Sequence, residues 1–236
     1  MPIARLTSLL AIGVLSSGLF ACGADESQPS SSVQTGSSST ATAKAPVAVE
    51  GELGRPMTVP AEANIFGAGY KQPPAPGGGG PGVLPPVWRL REAAHRIVSF
   101  RRVTGRVTPI VGMAGENGSA GDGVGPTDVT SFGGISGIVH RRNGMFLVGV
   151  FLTDDPPAGA APPRLSFTRR ERFDSLSPRI AQTFLVGNGK GRSYRVPARA
   201  TRVFLGFADG YLYVGHPGWY GNNDGELSVT VEMEPG

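Results

Sequence analysis

The sequence predicts an all-β protein, and three observations predict it. Its candidate strands are short and alternate apolar with polar residues. They are separated by turn chemistry, with 36 glycines and 21 prolines among 236 residues. No stretch carries convincing helical periodicity, although residues 173–184 have room for a single helical turn. Short strands punctuated in this way are the pattern of a sandwich or barrel. Taken in order, residues 96–110 (RIVSFRRVTGRVTPI) read as one long strand or two consecutive ones. Residues 145–152 (MFLVGVFL) are continuously apolar, as in a central strand buried on both faces. Residues 182–186, 192–197 and 201–207 supply three more. The last, 226–233 (ELSVTVEM), alternates strictly and puts Leu227, Val229, Val231 and Met233 on one face, as for a strand covered on one side. Long Gly/Pro-rich connections fall at 73–86, 112–130, 154–163 and 208–225. Connections of that length in a compact domain are usually functional or disordered; 73–86 reads as flexible or wrapped across the surface.

The N-terminal residues carry a different signal. Arg5 precedes an apolar run at 9–20, which is too short for a spanning helix of roughly 20 residues but suits a cleaved export signal. The run ends in Leu19-Phe20-Ala21-Cys22, which resembles the bacterial lipobox, with a bulky Phe20 at its spacer position. Cys22 is the only cysteine, so no intramolecular disulfide can form. Its expected role is lipid attachment, and two or more acyl chains would hold the protein stably at a membrane where one would not. The sequence after it is rich in Ser, Thr and Ala and cannot bury enough surface to offset its ordering entropy. The expected organisation is a lipoprotein signal peptide at 1–21, lipidated Cys22 and a disordered tether at 22–48, and a β-sandwich domain at 49–236. The expected location is the cell envelope; Gly23, in place of Asp, points to the outer membrane of a host that has two.

The formal charge of +4 comes from 19 arginines and three lysines, several in pairs such as Arg101-Arg102, Arg141-Arg142 and Arg169-Arg170. No dense basic run with interleaved aromatics appears, which argues against a nucleic-acid partner; the pairs read as solvated faces and strand ends. Catalysis lacks its usual markers. His95, His140 and His216 are far apart in sequence and fit no H-x-x-x-H pattern, and there is no G-x-S-x-G. Asp154-Asp155 precede Pro156-Pro157 at a strand exit, where solvated acids are common. The chain is therefore expected to be a monomer without a catalytic residue.

The 208–225 connection is the informative one. Asp209, Asn222, Asn223 and Asp224, with carbonyls of a Gly-rich loop, are oxygen donors of the kind that calcium takes six to eight of. The EF-hand spacing is absent, and Asn-Asp-Gly before a strand is equally a turn sequence. Tyr211, Tyr213, Trp219 and Tyr220 crowd the same loop. Such rings either stack on the C–H faces of pyranose sugars or cap the end of a sandwich.

The run PGWYGNNDGELSVTV resembles the C-terminal motif of the PA-I-type calcium-dependent galactose-binding lectins, Pro-Gly-x-Tyr-Gly-Asn-Asn-x-Gly followed by a terminal strand. The resemblance implies a jelly-roll-like β-sandwich of the galactose-binding-domain kind. It also implies a calcium ion that binds two sugar hydroxyls and is held by the paired Asn, a main-chain carbonyl and an upstream Asp. Asn222 and Asn223 match the pair, and Trp219 matches the residue giving its carbonyl. Gly215 stands where the family has its Asp; the nearest substitute is Asp209, which would require 210–218 to fold outward. Upstream, 121–128 (GDGVGPTD) can be laid on the family's sugar-contacting Gly-Asp…His-Pro segment: Pro126 matches the Pro, Gly125 replaces the His, and Asp128 follows. A further carbonyl is expected near Thr108 or Pro109. Strings such as ISGIVH, MFLVGVFL and FLGFADG resemble a group of exported bacterial domains found beside cell-surface anchors. The expectation is a membrane-anchored lipoprotein with a calcium-dependent, glycan- or polysaccharide-binding domain. The alternatives are a cell-surface structural or protein-interaction module with calcium-ordered loops, and a polysaccharide-processing enzyme.

Overall fold

The computed structural model describes residues 47–90, 96–109, 125–169 and 171–236. Cys22, the signal and tether up to residue 46, His95, Arg170 and the 121–124 part of the upstream echo lie outside the described residues. The described strands, in chain order, are β1 (Glu50–Gly51), β2 (Pro56–Pro60), β3 (Val87–Arg89), β4 (Arg96–Thr108), β5 (Thr127–Val129), β6 (Ile138–His140) and β7 (Leu147–Leu152). They continue with β8 (Leu165–Phe167), β9 (Ser175–Leu176), β10 (Phe184–Leu185), β11 (Ser193–Arg195), β12 (Arg202–Phe207), β13 (Val214–Gly215) and β14 (Asp224–Pro235). Among the described residues the helical structure is limited to single 3-10 turns at Ile65–Gly67, Tyr211–Tyr213 and Tyr220–Asn222. The protein is all-β.

The strands form three mixed sheets, ordered β1-β3-β12-β7-β10, β2-β14-β4-β11-β9 and β13-β5-β6-β8. Strand parity explains how they layer. In β7, Leu147 and Phe151 point into a core shared with Val59, Phe100, Leu227, Val229 and Val231 of the second sheet. Val148, Val150 and Leu152 point the other way, into a second core with Val129, Ile138 and Phe167 of the third. β12 divides likewise, Val203, Leu205 and Phe207 to one side and Phe204 to the other. The first sheet is thus the middle layer, which is why β7 is continuously apolar and wholly buried. Gly149 supplies space for Phe184, since a Cβ there would come within 2.5 Å of the Phe184 ring.

Within the 96–110 segment, β4 is one strand with a bulge. Ser228 pairs with Thr104 and Thr230 with Arg101, so β4 carries one extra residue between them, and Arg102 adopts a left-handed φ of 50°. The inserted residue shifts parity, so Val98 and Phe100 before it and Val107 after it all reach the first core. β14 has the expected faces, with Leu227, Val229 and Val231 buried, Met233 packed at the margin and Glu226 exposed.

One expectation needs correction. Residues 173–184 hold no helical turn. Pro178 disfavours helical backbone at Ser177, and the segment instead forms β9 and a turn at Ile180–Ala181, braced by Gln182 Oε1 accepting from Arg179 N at 2.9 Å. Residues 73–83 run across the surface, exposed or half-buried, with the glycines at 77–80 hydrogen-bonded to the 217–221 segment.

Candidate functional site

Strand β12 delivers the chain to Ala208 and Asp209 at one end of the middle sheet. The residues that follow leave as an excursion whose base is closed by a Gly210–Pro217 bridge and by Gly218 N donating to Asp209 O at 3.1 Å. This is the outward fold that lets Asp209 stand beside the motif. Tyr220 fixes its backbone: the fully buried ring sends its hydroxyl to Phe207 O (2.9 Å), and the same hydroxyl accepts from Asp209 N (3.1 Å).

The other side of the motif rests on residues 77–80. Gly77 N donates to Pro217 O at 2.9 Å, Trp219 N to Gly78 O at 2.8 Å, and Gly221 N to Gly79 O at 3.2 Å. The indole Nε1 of Trp219 adds a bond to Gly77 O at 3.0 Å. Glycine is required at Gly79, where φ is +67° and a Cβ would lie 2.5 Å from the Trp219 ring. It is required again at Gly82, where φ is +67° and a Cβ would meet Glu62 O at 2.2 Å.

At the centre is Asp209, 2% exposed. Its Oδ2 accepts from Asn223 Nδ2 at 2.9 Å and its Oδ1 from Gly210 N at 2.7 Å. Burial pushes the carboxyl up to about 7, against the opposing pull of these two hydrogen bonds. Asn223, also buried, sends a second N–H bond to Ala61 O at 3.3 Å. Its Oδ1 has no partner, and neither does the buried Oδ1 of the preceding Asn222. Buried acceptors are nearly always satisfied, and each one left open costs about 1–3 kcal/mol. The other open buried atoms among the described residues, Trp88 Nε1, Ser99 Oγ and Thr230 Oγ1, belong to strands of the sheets rather than to this loop. Two carboxamide oxygens and one buried carboxylate are hard-oxygen donors, of a kind suited to calcium and ill suited to a soft metal. Among the described residues no three His, Cys, Asp or Glu side chains converge; a set with one carboxylate and two amides is of a different kind.

Asp209 and Asn222 of this group border a cleft of about 460 Å3, and Asn223 lies behind them. Pro109, Gly125 and Pro126 line one part of it, and Asp209, the 210–213 turn, Trp219 and Asn222 the rest. The Tyr211 and Trp219 rings lie 5.0 Å apart at 46°, with Tyr211 58% exposed and Leu212 70% exposed. Of the six described non-glycine residues with positive φ, three are here: Leu212 (49°), Tyr213 (62°) and Trp219 (68°). Each such residue stores roughly 1–2 kcal/mol of strain, and strain of this kind concentrates at functional sites.

The remaining site residues are dispersed. Asp224 is exposed at the head of β14, level with Thr108, and does not line the cleft. Asp128 is exposed and paired with Arg164. Tyr220 belongs to the core, and Tyr213 both packs on the core and lines the cleft. Gly215 is a sheet position: its carbonyl accepts from Thr130 N at 2.7 Å. Sequence reasoning missed the support given by 77–80, Ala61 and the Tyr220 hydroxyl; the four consecutive glycines at 77–80 were the available signal. No family model matches the chain, and no match is found among curated proteins or among solved structures.

Proposed function

We propose that the protein is an exported, lipid-anchored module that binds carbohydrate through a calcium ion held by Asp209, Asn222 and Asn223. The observation that carries this reading is the pair of unpartnered buried oxygens, Asn222 Oδ1 and Asn223 Oδ1, on the residues flanking a buried carboxylate. A hard cation would satisfy both oxygens and neutralise Asp209, and it would present open coordination positions to vicinal hydroxyls. Tyr211 and Trp219 would offer the apolar surface on which the C–H face of a sugar rests, and Pro126 the opposite rim. The two facing five-stranded sheets are read as a jelly-roll-like sandwich to which a third sheet has been added. Cys22 and its tether would keep the domain at a membrane surface, with the outer membrane as the location in a two-membrane host.

The exposed aliphatic side chains of Leu212 (70%) and Val214 (45%) favour a second reading, in which the same calcium-ordered loop contacts a protein surface. Thermal melts in calcium, magnesium and chelator test the metal; the expected result is a midpoint raised by calcium alone. An unchanged midpoint removes the reading. A glycan array with and without calcium then decides the ligand: calcium-dependent retention of a defined sugar is expected, and a calcium-stabilised protein that retains none is a protein-contact module.

A further inference from the structure

Strands β6 and β8 run parallel, with His140 level with Phe167. The segments that follow them therefore leave the same end of the third sheet side by side. This brings Arg141 and Arg142 next to Arg169 and Arg172, around a groove of about 340 Å3 that also contains Thr168 and a single carboxylate, Glu171. All four arginines are exposed. Among the described residues none of their guanidinium groups has an ion-pair or hydrogen-bond partner. Some arginines elsewhere are engaged, such as Arg164 on Asp128 and Arg202 on the Thr153 carbonyl. Others, such as Arg55 and Arg199, are likewise free, so what sets these four apart is that they share one groove. Four like charges gathered in one groove repel one another. Their planar forks match the oxygens of a carboxylate, sulfate or phosphate.

The groove is held in shape, and the turn that carries two of its arginines packs against residues at the cleft. His140 Nδ1 accepts from Arg142 N at 3.3 Å and from Asn143 N at 3.2 Å. The imidazole is thereby held neutral with its proton on Nε2, and it anchors the turn that carries two of the arginines. The second half of that turn packs behind the candidate sugar site. The Asn143 carbonyl accepts from Thr127 Oγ1 at 2.7 Å, next to cleft-lining Pro126. Gly144 lies so close to the ring of cleft-lining Tyr213 that a Cβ would come within 2.6 Å of it. One four-residue turn thus has guanidinium groups at its start and the cleft against its end.

We infer that the Arg141–Arg142–Arg169–Arg172 groove is an anion subsite continuing the calcium cleft, and that the ligand is an acidic glycan whose carboxylate, sulfate or phosphate groups lie on sugars beyond the one in the cleft. The inference rests on the carbohydrate reading of that cleft. Its test is calorimetric binding to the full chain, in calcium, of oligosaccharides from a sulfated galactan and of the same oligosaccharides after desulfation. The sulfated form is expected to bind about tenfold tighter, equivalent to ~1.4 kcal/mol. Changing all four groove arginines to Ala should erase that preference and leave calcium-dependent binding of the desulfated form unchanged. Changing them to Lys should restore part of it.

A control variant, Arg55→Ala with Arg179→Ala, Arg195→Ala and Arg199→Ala, removes equal charge from exposed positions elsewhere and should keep the preference. A preference that survives the groove variant, or that the control erases equally, overturns the inference. Tighter groove-dependent binding of soluble dihexanoylphosphatidylglycerol than of the sulfated oligosaccharide also overturns it, in favour of a membrane surface. Absence of calcium-dependent binding of the desulfated form removes the cleft reading alone. The anion subsite is then supported if the groove variant still abolishes binding of the sulfated form.

Discussion

Asn223 is the residue on which most of the candidate site turns. Its amide nitrogen holds both Asp209 and the Ala61 carbonyl while its oxygen is unpartnered. Asn223→Ala should therefore lower the stability of the calcium-free protein by about 1–3 kcal/mol, read by chemical denaturation. Asn222→Ala combined with Asn223→Ala should abolish the calcium-induced rise in melting temperature; a rise that persists excludes these oxygens as ligands. Asp209 gives a pH signature of definite sign. Its carboxyl is raised from 3.8 to about 7 in the folded state, so the native protein holds a proton that the unfolded chain has released. The stability this contributes is full below the unfolded value and is lost as pH rises through about 7. Without calcium the protein should lose this contribution between about pH 4 and about pH 7, and Asp209→Asn should remove the loss. His140 has the opposite sign: burial lowers it below 6.5, against the raising influence of Glu171, so its contribution is lost as pH falls below 6.5. Asp209→Asn should leave that acid-side decline in place. The residues Asp209, Asn222 and Asn223 were legible as oxygen-bearing loop positions, but Asn-Asp-Gly before a strand is equally a turn sequence, so the contact between Asp209 and Asn223 was not. Nor was the Tyr220 hydroxyl, because a tyrosine in a loop does not reveal whether its ring points into a core or out to a ligand.

Elements carry the site by close approach of backbone to backbone. Gly79→Ala and Gly82→Ala each combine a left-handed φ with a collision, against the Trp219 ring and the Glu62 carbonyl respectively. Each should cost more than the roughly 1–2 kcal/mol of the left-handed conformation alone, and Gly79→Ala should also weaken calcium binding by displacing Trp219 and Gly221. Gly159 has a φ of +75° and open space around it, so Gly159→Ala supplies the conformational cost without the collision and should leave calcium binding intact. Denaturant titration and calcium titration of the three variants check both statements. β14 was readable because twelve residues suffice to display a period, and β7 because an unbroken apolar run marks a strand buried on both faces. β5, β6 and β13 were not, since two or three residues have no period to display. The third sheet was hidden for that reason, and with it the juxtaposition of the arginine pairs.

At the scale of the whole molecule, the middle sheet separates two cores; the first reaches the site through Tyr213 and Tyr220, and the second ends at Ala208, beside Asp209. Phe184 lies in the first core, stacked 5.0 Å from Phe151 and tilted against Tyr194 at 4.8 Å. Phe184→Ala should reduce stability by about 3–5 kcal/mol while leaving the calcium-induced shift in melting temperature in place. Loss of both together would mean that the loop depends on the sandwich as a single cooperative unit.

The bonds that close the site join residues far apart along the chain: Trp219 and Gly77 are separated by 142 positions, and Asn223 and Ala61 by 162. Closing loops of this length is entropically demanding, and contacts of such range slow folding. We expect the cleft to assemble after the final strand has docked beside β2 and β4, on the native side of the rate-limiting barrier. Ligation by calcium would then act on the exit from the native basin alone. In stopped-flow chevrons calcium should slow unfolding and leave the refolding limb unmoved, and an equal acceleration of refolding would place the loop in the folding nucleus instead.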